Sequence, residues 1–331
     1  MKNFEYAHPT SQAELLTLLA PGTGRTEMLA GGTDLMGLMK SFVVTPDRVV
    51  NVCDVREMRG VEVDRAAGEA RIGAAVRLDD LLHDERLDGL TAVKQVIRSL
   101  GSMQARAAST LGGELLQRPR CWYFRSGQGL LADGGRLVER GDNRYHAILG
   151  NSGPAKFVSA SRLAPGLIAL GARARIVGPG KDDEQEIPLA KLYQTPHEDG
   201  ERETTLLPGQ VLSQIIVPLE ESIFSAAYEV RPSMGPDQPL VSAAAALRID
   251  GSVIREAHLT LGQVAPIPWV ADAAARLLVG QIVSRPLAER VGRTAVVGAR
   301  PLSQNQYKVD LAAVAAKRAI LAAAGLPTGG F

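Results

Sequence analysis

The amino-terminal 52 residues constrain the fold most, because strand and helix patterns alternate there. Residues 27–30 predict a short buried strand, residues 35–39 carry helix-forming side chains, and residues 48–52 include the β-branched pair Val49 and Val50 that is typical of a strand. Two strands joined through a helix normally pair in parallel, since the helix crosses back over the sheet. The sequence therefore predicts a parallel βαβ unit at the start of the chain.

Length and spacing predict two domains. A chain of 331 residues exceeds what one hydrophobic core usually serves, and a boundary is predicted at residues 218–221, between domains 1–219 and 220–331. In the second domain, residues 239–249 and 258–264 have strand patterns. Two Ala-rich helices are predicted to follow, one beginning after Ser284 and one over residues 311–324 with Asp310 as its amino-terminal cap. Strands followed by helices indicate an α+β arrangement.

The first domain carries further local signals. Ser11 and Glu14 have capping-box spacing, which predicts a helix that Pro21-Gly22 would end. Residues 71–76 and 172–177 predict strands, and residues 93–100 a helix. Residues 125–155 are instead rich in Gly, Asp, Asn and Arg with little periodicity, which predicts a long loop insertion that is either functional or disordered.

Charge and cysteine content exclude several functions. With 37 Lys and Arg against 36 Asp and Glu, the net charge is only +1, so nucleic acid is not an expected partner. No apolar run reaches the roughly 20 residues that a membrane helix needs, so membrane insertion is not expected. The amino terminus shows no secretion signal, and Cys53 and Cys121 form no disulfide framework. We therefore expect a cytoplasmic protein in a reducing compartment, and a periplasmic one only if a partner's signal carries it there.

Two Gly-Gly segments dominate the first domain. We call Ala30-Gly31-Gly32-Thr33-Asp34 loop one and Thr110-Leu111-Gly112-Gly113-Glu114 loop two. Glycines let backbone N–H groups converge on an anion, and the hydroxyls of Thr33 and Thr110 can add donors. The two loops together could clamp a pyrophosphate, although each could also be an ordinary tight turn. Neither matches a P-loop or a Rossmann fingerprint.

The loops and their surroundings resemble a known family. Residues 29–35 with Met39-Lys40, and residues 102–106 leading into loop two, are similar to the FAD-diphosphate segments of the flavin subunits of molybdenum hydroxylases, the xanthine dehydrogenase family. Residues 116–125 and 143–150 resemble a narrower branch that includes the flavin subunits of periplasmic aldehyde oxidoreductase and 4-hydroxybenzoyl-CoA reductase. Residues 239–244 and 301–308 look like the family's carboxy-terminal domain. The resemblance thus spans nearly the whole chain.

The resemblance implies a fold and a function. The expected fold class is α+β: a vanillyl-alcohol-oxidase (PCMH) type FAD-binding domain of two α/β subdomains, then a domain with a three-stranded antiparallel sheet and helices. The expected partners are a large molybdopterin-binding subunit and a small subunit with [2Fe–2S] clusters, assembled as a heterotrimer or a dimer of heterotrimers. Electrons would pass from those clusters through non-covalently bound FAD to an external acceptor.

The resemblance also implies site residues. It assigns to FAD binding the following positions: Leu29, Ala30, Gly31, Gly32, Thr33, Asp34, Leu35, Ser102, Thr110, Gly112, Gly113, Glu114 and Arg162. No catalytic residue and no metal ligand is expected in this chain. The narrower branch holds a [4Fe–4S] cluster with four cysteines between residues 120 and 165, but here only Cys121 lies in that region, so no such cluster is expected.

Three positions depart from the family's pattern. Glu114 stands where relatives have Asn, Arg162 where they have an Asp that bonds the ribityl chain, and Glu229 where they often have Lys. A carboxylate that faces a diphosphate is unfavourable, so Glu114 is expected to point away or to pair with a cation such as Arg162. An alternative function is therefore a structural subunit that has lost or weakened FAD binding. A self-standing flavin oxidase is a third hypothesis, but no substrate-binding base is evident.

Overall fold

The computed structural model describes residues 1–20, 24–180, 182–233, 235 and 237–329. The strands in these residues are β1 (Glu5–Ala7), β2 (Thr26–Leu29), β3 (Arg48–Asn51), β4 (Val61–Asp64), β5 (Glu69–Gly73), β6 (Arg173–Val177), β7 (Glu184–Pro188), β8 (Val211–Pro218), β9 (Ile223–Val230), β10 (Val241–Asp250), β11 (Val253–Gly262) and β12 (Trp269–Val270). The α-helices are α1 (Gln12–Leu18), α2 (Leu35–Lys40), α3 (Leu78–His83), α4 (Thr91–Ser99), α5 (Met103–Ala108), α6 (Leu111–Leu115), α7 (Trp122–Arg125), α8 (Arg136–Arg140), α9 (Ala164–Ala169), α10 (Asp272–Ala275), α11 (Arg285–Ala295) and α12 (Tyr307–Ala323).

The first sheet is the predicted βαβ unit with one added strand. Its order is β1-β3-β2, and both pairs are parallel, so that α2 crosses over between β2 and β3. Ahead of it, the Ser11 hydroxyl caps α1 by accepting a hydrogen bond from the N–H of Glu14 at 3.3 Å. The predicted stop at Pro21-Gly22 lies outside the described residues. Loop one follows β2 and leads directly into α2.

The second sheet is antiparallel, in the order β4-β5-β8-β6-β7. One apolar core joins it to α3, α4, α6 and α9, with Ile72, Val93, Leu111, Leu167 and Ile215 among the buried residues. The strand predicted at residues 71–76 starts and ends earlier in the structure, as β5 ends at Gly73. Residue 74 then packs against Gly112 of loop two. Loop two therefore begins α6 directly on this core.

The third sheet forms the carboxy-terminal part, in the antiparallel order β12-β11-β10-β9. Its three long strands β9 to β11 match the predicted three-stranded sheet, and the two-residue β12 extends the edge. Ser284 caps α11 as predicted, by accepting from the N–H of Leu287. Asp310 was wrongly assigned as the cap of α12, which begins at Tyr307. The side chain of Lys308 is fully buried and donates to three backbone carbonyls, which fixes the earlier start.

The predicted insertion at residues 125–155 has little regular structure but is well packed. It contains α8, and Leu130 and Leu131 form a core with Leu38 and Phe157. Asn143 ties the segment to the carboxy-terminal domain by donating to the Ser303 hydroxyl at 3.0 Å. A disordered segment would bury no such core. Among the helices that the structure describes, none is long and apolar enough to cross a membrane.

Candidate functional site

The structure brings the two glycine loops into contact. A Cβ atom on Gly31 would lie 1.9 Å from the carbonyl oxygen of Ala108, just before loop two, so only glycine allows this approach. The Thr33 hydroxyl lies 3.1 Å from the Ser109 hydroxyl. A Cβ atom on Gly113 would stand 3.8 Å from the methyl of Ala30. The two sequence motifs thus form one surface, where Leu29 ends β2 and Leu35 begins α2.

Loop one presents free hydrogen-bond donors. Gly32 has a φ of 71°, the left-handed conformation that glycine adopts most easily. No described residue accepts a hydrogen bond from the N–H groups of Gly31, Gly32 or Thr33. Successive N–H groups around a left-handed residue form a concave anion-binding nest. Loop one therefore has the backbone geometry of an anion site.

Asp34 at the end of loop one has its charge neutralised. Its Oδ1 accepts from Arg125 Nη2 at 2.7 Å, and its Oδ2 accepts from the N–H of Arg118 at 2.9 Å. Arg125 also donates to the carbonyls of Arg118 and Pro119. Asp34 thus binds the start of the insertion to loop one, and its carboxylate is paired.

Loop two uses its own N–H groups internally. The Thr110 hydroxyl accepts from the N–H of Gly113 at 3.1 Å and thereby caps α6. The N–H of Gly112 donates to the carbonyl of Ala74 at 2.8 Å, and a Cβ on Gly112 would lie 2.8 Å from the Ala74 Cβ. The N–H of Glu114 donates to the carbonyl of Thr110. Loop two is consequently a rigid turn that supports loop one.

Glu114 is buried and faces the amino terminus of α9. Its carboxylate accepts from the Ser161 hydroxyl at 2.7 Å, from the N–H of Arg162 at 2.7 Å and from the N–H of Leu163 at 3.4 Å. Burial raises the pKa of Glu114, while these hydrogen bonds act in the opposite direction. The prediction that this carboxylate points away or is compensated fits these contacts, because it serves as a remote cap for α9.

Arg162 pairs with a different residue from the expected one. Its Nε donates to Glu229 Oε1 at 2.8 Å, and its Nη2 donates to the Ser99 hydroxyl at 2.7 Å. Both members of the Arg162–Glu229 pair are buried, with side-chain exposures of 3% and 7%. The hypothesis of a Glu114–Arg162 ion pair is therefore wrong, since only the backbone N–H of Arg162 reaches Glu114. Two of the three departures from the family, Arg162 and Glu229, neutralise each other.

Ser102 supports the contact between the loops from a distance. Its hydroxyl accepts from the N–H of Ala105 at 3.1 Å and caps α5. The other end of α5 is Ala108, whose carbonyl packs against Gly31. Ser102 thus helps to fix the position of the residues on which loop one rests.

Sequence reasoning missed the partners that hold these residues. Asp34 and Arg125 are 91 positions apart, and Glu114 and Ser161 are 47 positions apart. Neither separation corresponds to a helix or strand period, so the periodicity of the sequence does not predict these contacts. The one available signal is the three arginines at positions 118, 120 and 125, which indicate that carboxylates pack close to this segment.

Cys121 lies beside a buried histidine. Its Sγ is 3.2 Å from Nε2 of His146, and the Trp122 ring meets that imidazole edge-on at 5.6 Å. Burial raises the pKa of the Cys121 thiol and lowers the pKa of His146 to about 4. Within the described ranges, no group of three His, Cys, Asp or Glu side chains is placed to hold a metal ion.

Comparison with known proteins identifies the family. Residues 2–220 match the family described as the FAD binding domain in molybdopterin dehydrogenase, and residues 226–323 match the CO dehydrogenase flavoprotein C-terminal domain. The aldehyde oxidoreductase FAD-binding subunit PaoB of Escherichia coli K12 is 32% identical over 322 residues, which cover 94% of this chain and 95% of that protein. The chain therefore belongs to the family of FAD-binding medium subunits of molybdenum hydroxylases.

More distant relatives share the whole fold. The carbon monoxide dehydrogenase medium chain of Afipia carboxidovorans is 24% identical, with 96% of each chain covered. Among solved structures, quinoline 2-oxidoreductase from Pseudomonas putida 86 superposes with a TM-score of 0.76 at 22% identity, and covers 98% of this chain and 99% of its own. The Cu,Mo-CO dehydrogenase gives a TM-score of 0.77 at 21% identity, with coverage of 98% and 99%. These similarities agree with the α+β fold described above.

Proposed function

We propose that this chain is the flavin electron-transfer subunit of a heteromeric molybdenum hydroxylase. In this function it receives electrons from [2Fe–2S] clusters of a partner subunit and passes them, by way of FAD, to an external acceptor. The observation that carries the proposal is the nest of loop one, in which the N–H groups of Gly31, Gly32 and Thr33 have no acceptor among the described residues. A diphosphate offers the oxygen atoms that such donors bind.

The residues present fit a flavin dinucleotide. The two acidic side chains that belong to the loops have internal partners: Asp34 forms an ion pair with Arg125, and Glu114 accepts hydrogen bonds from the Ser161 hydroxyl and the N–H of Arg162. Both side chains are therefore engaged inside the protein. Neither Gly32 nor Gly113 carries a side chain that could cover the N–H groups of the loops. FAD supplies the redox chemistry when bound, while the chain supplies position, electrostatics and access.

The domain division and the partners follow from the same proposal. We place FAD binding in residues 1–219 and the second domain in residues 220–331, which is supported by the break between β8 and β9. The partners would be a molybdopterin-binding large subunit and a [2Fe–2S] small subunit, in a heterotrimer or a dimer of heterotrimers. The names of the relatives, subunits of aldehyde oxidoreductase and carbon monoxide dehydrogenase, support this assembly. Two free cysteines suit the cytoplasm.

A structural subunit without flavin is the second candidate, and one feature favours it. The Arg162 side chain is turned toward Glu229 and Ser99, so it leaves no acidic group where relatives bond the ribityl chain. The flavin content of the purified chain separates the two functions. We expect about one FAD per chain, released into the supernatant by acid because no covalent link forms. A colourless protein that takes up no FAD on titration would establish the structural role instead.

A further inference from the structure

Residues 117–120 follow loop two along the chain and are linked by hydrogen bonds to both loops. On the side of loop one, Asp34 accepts from the N–H of Arg118 at 2.9 Å, and Arg125 donates to the carbonyl of Pro119 at 2.8 Å. The Asp34–Arg125 pair thus fixes the backbone on which Arg120 is carried.

On the side of loop two, the link is made by Gln117. Its Nε2 donates to Glu114 Oε1 at 3.3 Å, and its Oε1 accepts from Arg120 Nη2 at 2.9 Å. The Arg120 guanidinium is therefore held by an amide that is itself attached to loop two. Two independent sets of contacts place this side chain at the junction of the loops.

Arg120 differs from its neighbours in forming no direct ion pair with a described residue. The arginines near the loops that pair with carboxylates are Arg106 with Asp79, Arg118 with Glu203, Arg125 with Asp34 and Arg162 with Glu229. Arg120 is exposed and forms no ion pair with any residue that the structure describes. Its hydrogen bond to Gln117 satisfies only one of the five N–H groups of a guanidinium.

We propose that Arg120 binds the diphosphate of the flavin nucleotide and supplies the positive charge that the glycine loops lack. The inference rests on the proposed function and adds a specific residue to it. The nest offers only partial charges from backbone N–H groups, whereas a guanidinium offers a full charge and two parallel donors that match phosphate oxygens. The chain thereby engages Asp34 and Glu114 with internal partners and leaves the Arg120 guanidinium without a direct ion pair.

The test is a titration of the flavin-free protein with three probes: FAD, ADP and riboflavin. FAD and ADP carry the diphosphate, whereas riboflavin does not. In Arg120→Gln we expect FAD and ADP to bind about ten- to hundred-fold more weakly, as for the loss of a charged hydrogen bond, while riboflavin binding stays unchanged. Arg120→Lys should recover part of the loss, because it restores the charge without the paired donors.

Two further variants serve as controls. Arg290 is an exposed arginine on α11, and Arg290→Gln should leave all three affinities unchanged. Arg77 is also exposed and forms a backbone bridge with Thr110 at loop two, so Arg77→Gln tests a competing cation. Thermal unfolding of each variant confirms that the fold is intact.

The outcomes separate this inference from the function on which it rests. Unchanged FAD affinity in Arg120→Gln, an equal loss of riboflavin binding, or a loss confined to Arg77→Gln would overturn the role of Arg120 and leave the proposed function standing. A wild-type protein that binds none of the three probes would overturn both. Selective loss of FAD and ADP in Arg120→Gln supports both.

Discussion

The two glycine loops share a sequence signature but use it in opposite ways. In loop one, the N–H groups of Gly31 and Gly32 have no acceptor in the part of the chain that the structure describes. In loop two, the N–H groups donate to Thr110 and to the carbonyl of Ala74. Loop one thus has donors available for the ligand that we propose, whereas loop two uses its donors to hold its own turn. A Gly-Gly pair therefore does not specify a binding role by itself, because the role depends on whether the donors find partners inside the protein.

The contact between the loops is the feature that a mutation breaks most severely. A Cβ on Gly31 would lie 1.9 Å from the carbonyl oxygen of Ala108, and backbone cannot yield by that much without moving α5. We expect Gly31→Ala to lower the free energy of unfolding by about 4 kcal/mol or more, measured by urea denaturation. Gly37→Ala is the matched control: nothing lies within 4 Å of that Cβ, and it should stabilise α2 by about 0.5–1 kcal/mol. Equal stability of the two variants would show that the loops are not in contact.

The substitution Gly32→Val tests the nest of loop one, and its expected effect on stability is the next largest. The residue has a φ of 71°, so a branched side chain is strained there and also covers the free N–H groups. We expect a loss of about 1–3 kcal/mol in stability and the complete loss of flavin retention. Gly280→Val carries the same kind of strain, at a φ of 78° with open space around it, and should keep its flavin.

The substitution Gly113→Val tests whether loop two is also needed for flavin retention. Gly113 is exposed, and its Cβ would meet the Thr110 hydroxyl at 3.0 Å and the Ala30 methyl at 3.8 Å, where the loops touch. We expect flavin retention to be lost here as well, with the remaining fold intact by circular dichroism. A variant that keeps its flavin would show that the close approach of Gly113 to Ala30 is not needed for flavin binding.

The fold was more predictable from sequence than the chemistry of the site. The βαβ unit and the Ser284 cap rest on local patterns, which the structure confirms. Asp310 was misassigned as a cap because a local pattern is silent about the buried ammonium of Lys308, whose partners are 45 to 163 residues away. The partners of Glu114 and Arg162 are likewise fixed only by tertiary packing. Residue types identified the departures from the family, but not the direction in which the side chains point.

Glu114→Gln asks whether the acidic residue of loop two serves α9 or the ligand. The neutral amide keeps the shape but replaces one carboxylate oxygen that accepts from Ser161 and Leu163, so we expect the free energy of unfolding to fall by about 1–2 kcal/mol. FAD affinity should stay within about two-fold of wild type, because the carboxylate faces α9. Tighter binding would show instead that its charge reaches the diphosphate.

The pH dependence of the same variant provides a second readout. Burial raises the pKa of Glu114 above its ordinary value of 4.5, so the folded state keeps a proton that the unfolded chain has released. The stability contributed by that proton is fully present below pH 4.5 and is lost as the pH rises through the folded pKa. The stability advantage of wild type over Glu114→Gln should therefore shrink from pH 4.5 upward in urea titrations. An advantage that grows with pH would contradict the raised pKa.

The smallest expected effect is that of Ser102→Ala, which separates support from ligand contact. The hydroxyl caps α5 by accepting from the N–H of Ala105, so its removal should cost about 1 kcal/mol of stability. Because α5 ends at Ala108, where loop one rests, the loops should shift little and FAD should bind less than about five-fold more weakly. Ser102→Thr keeps a capping hydroxyl and should restore the stability. If Ser102→Ala instead lowers the affinity for FAD a hundred-fold with unchanged stability, the hydroxyl contacts the flavin directly and is not only a helix cap.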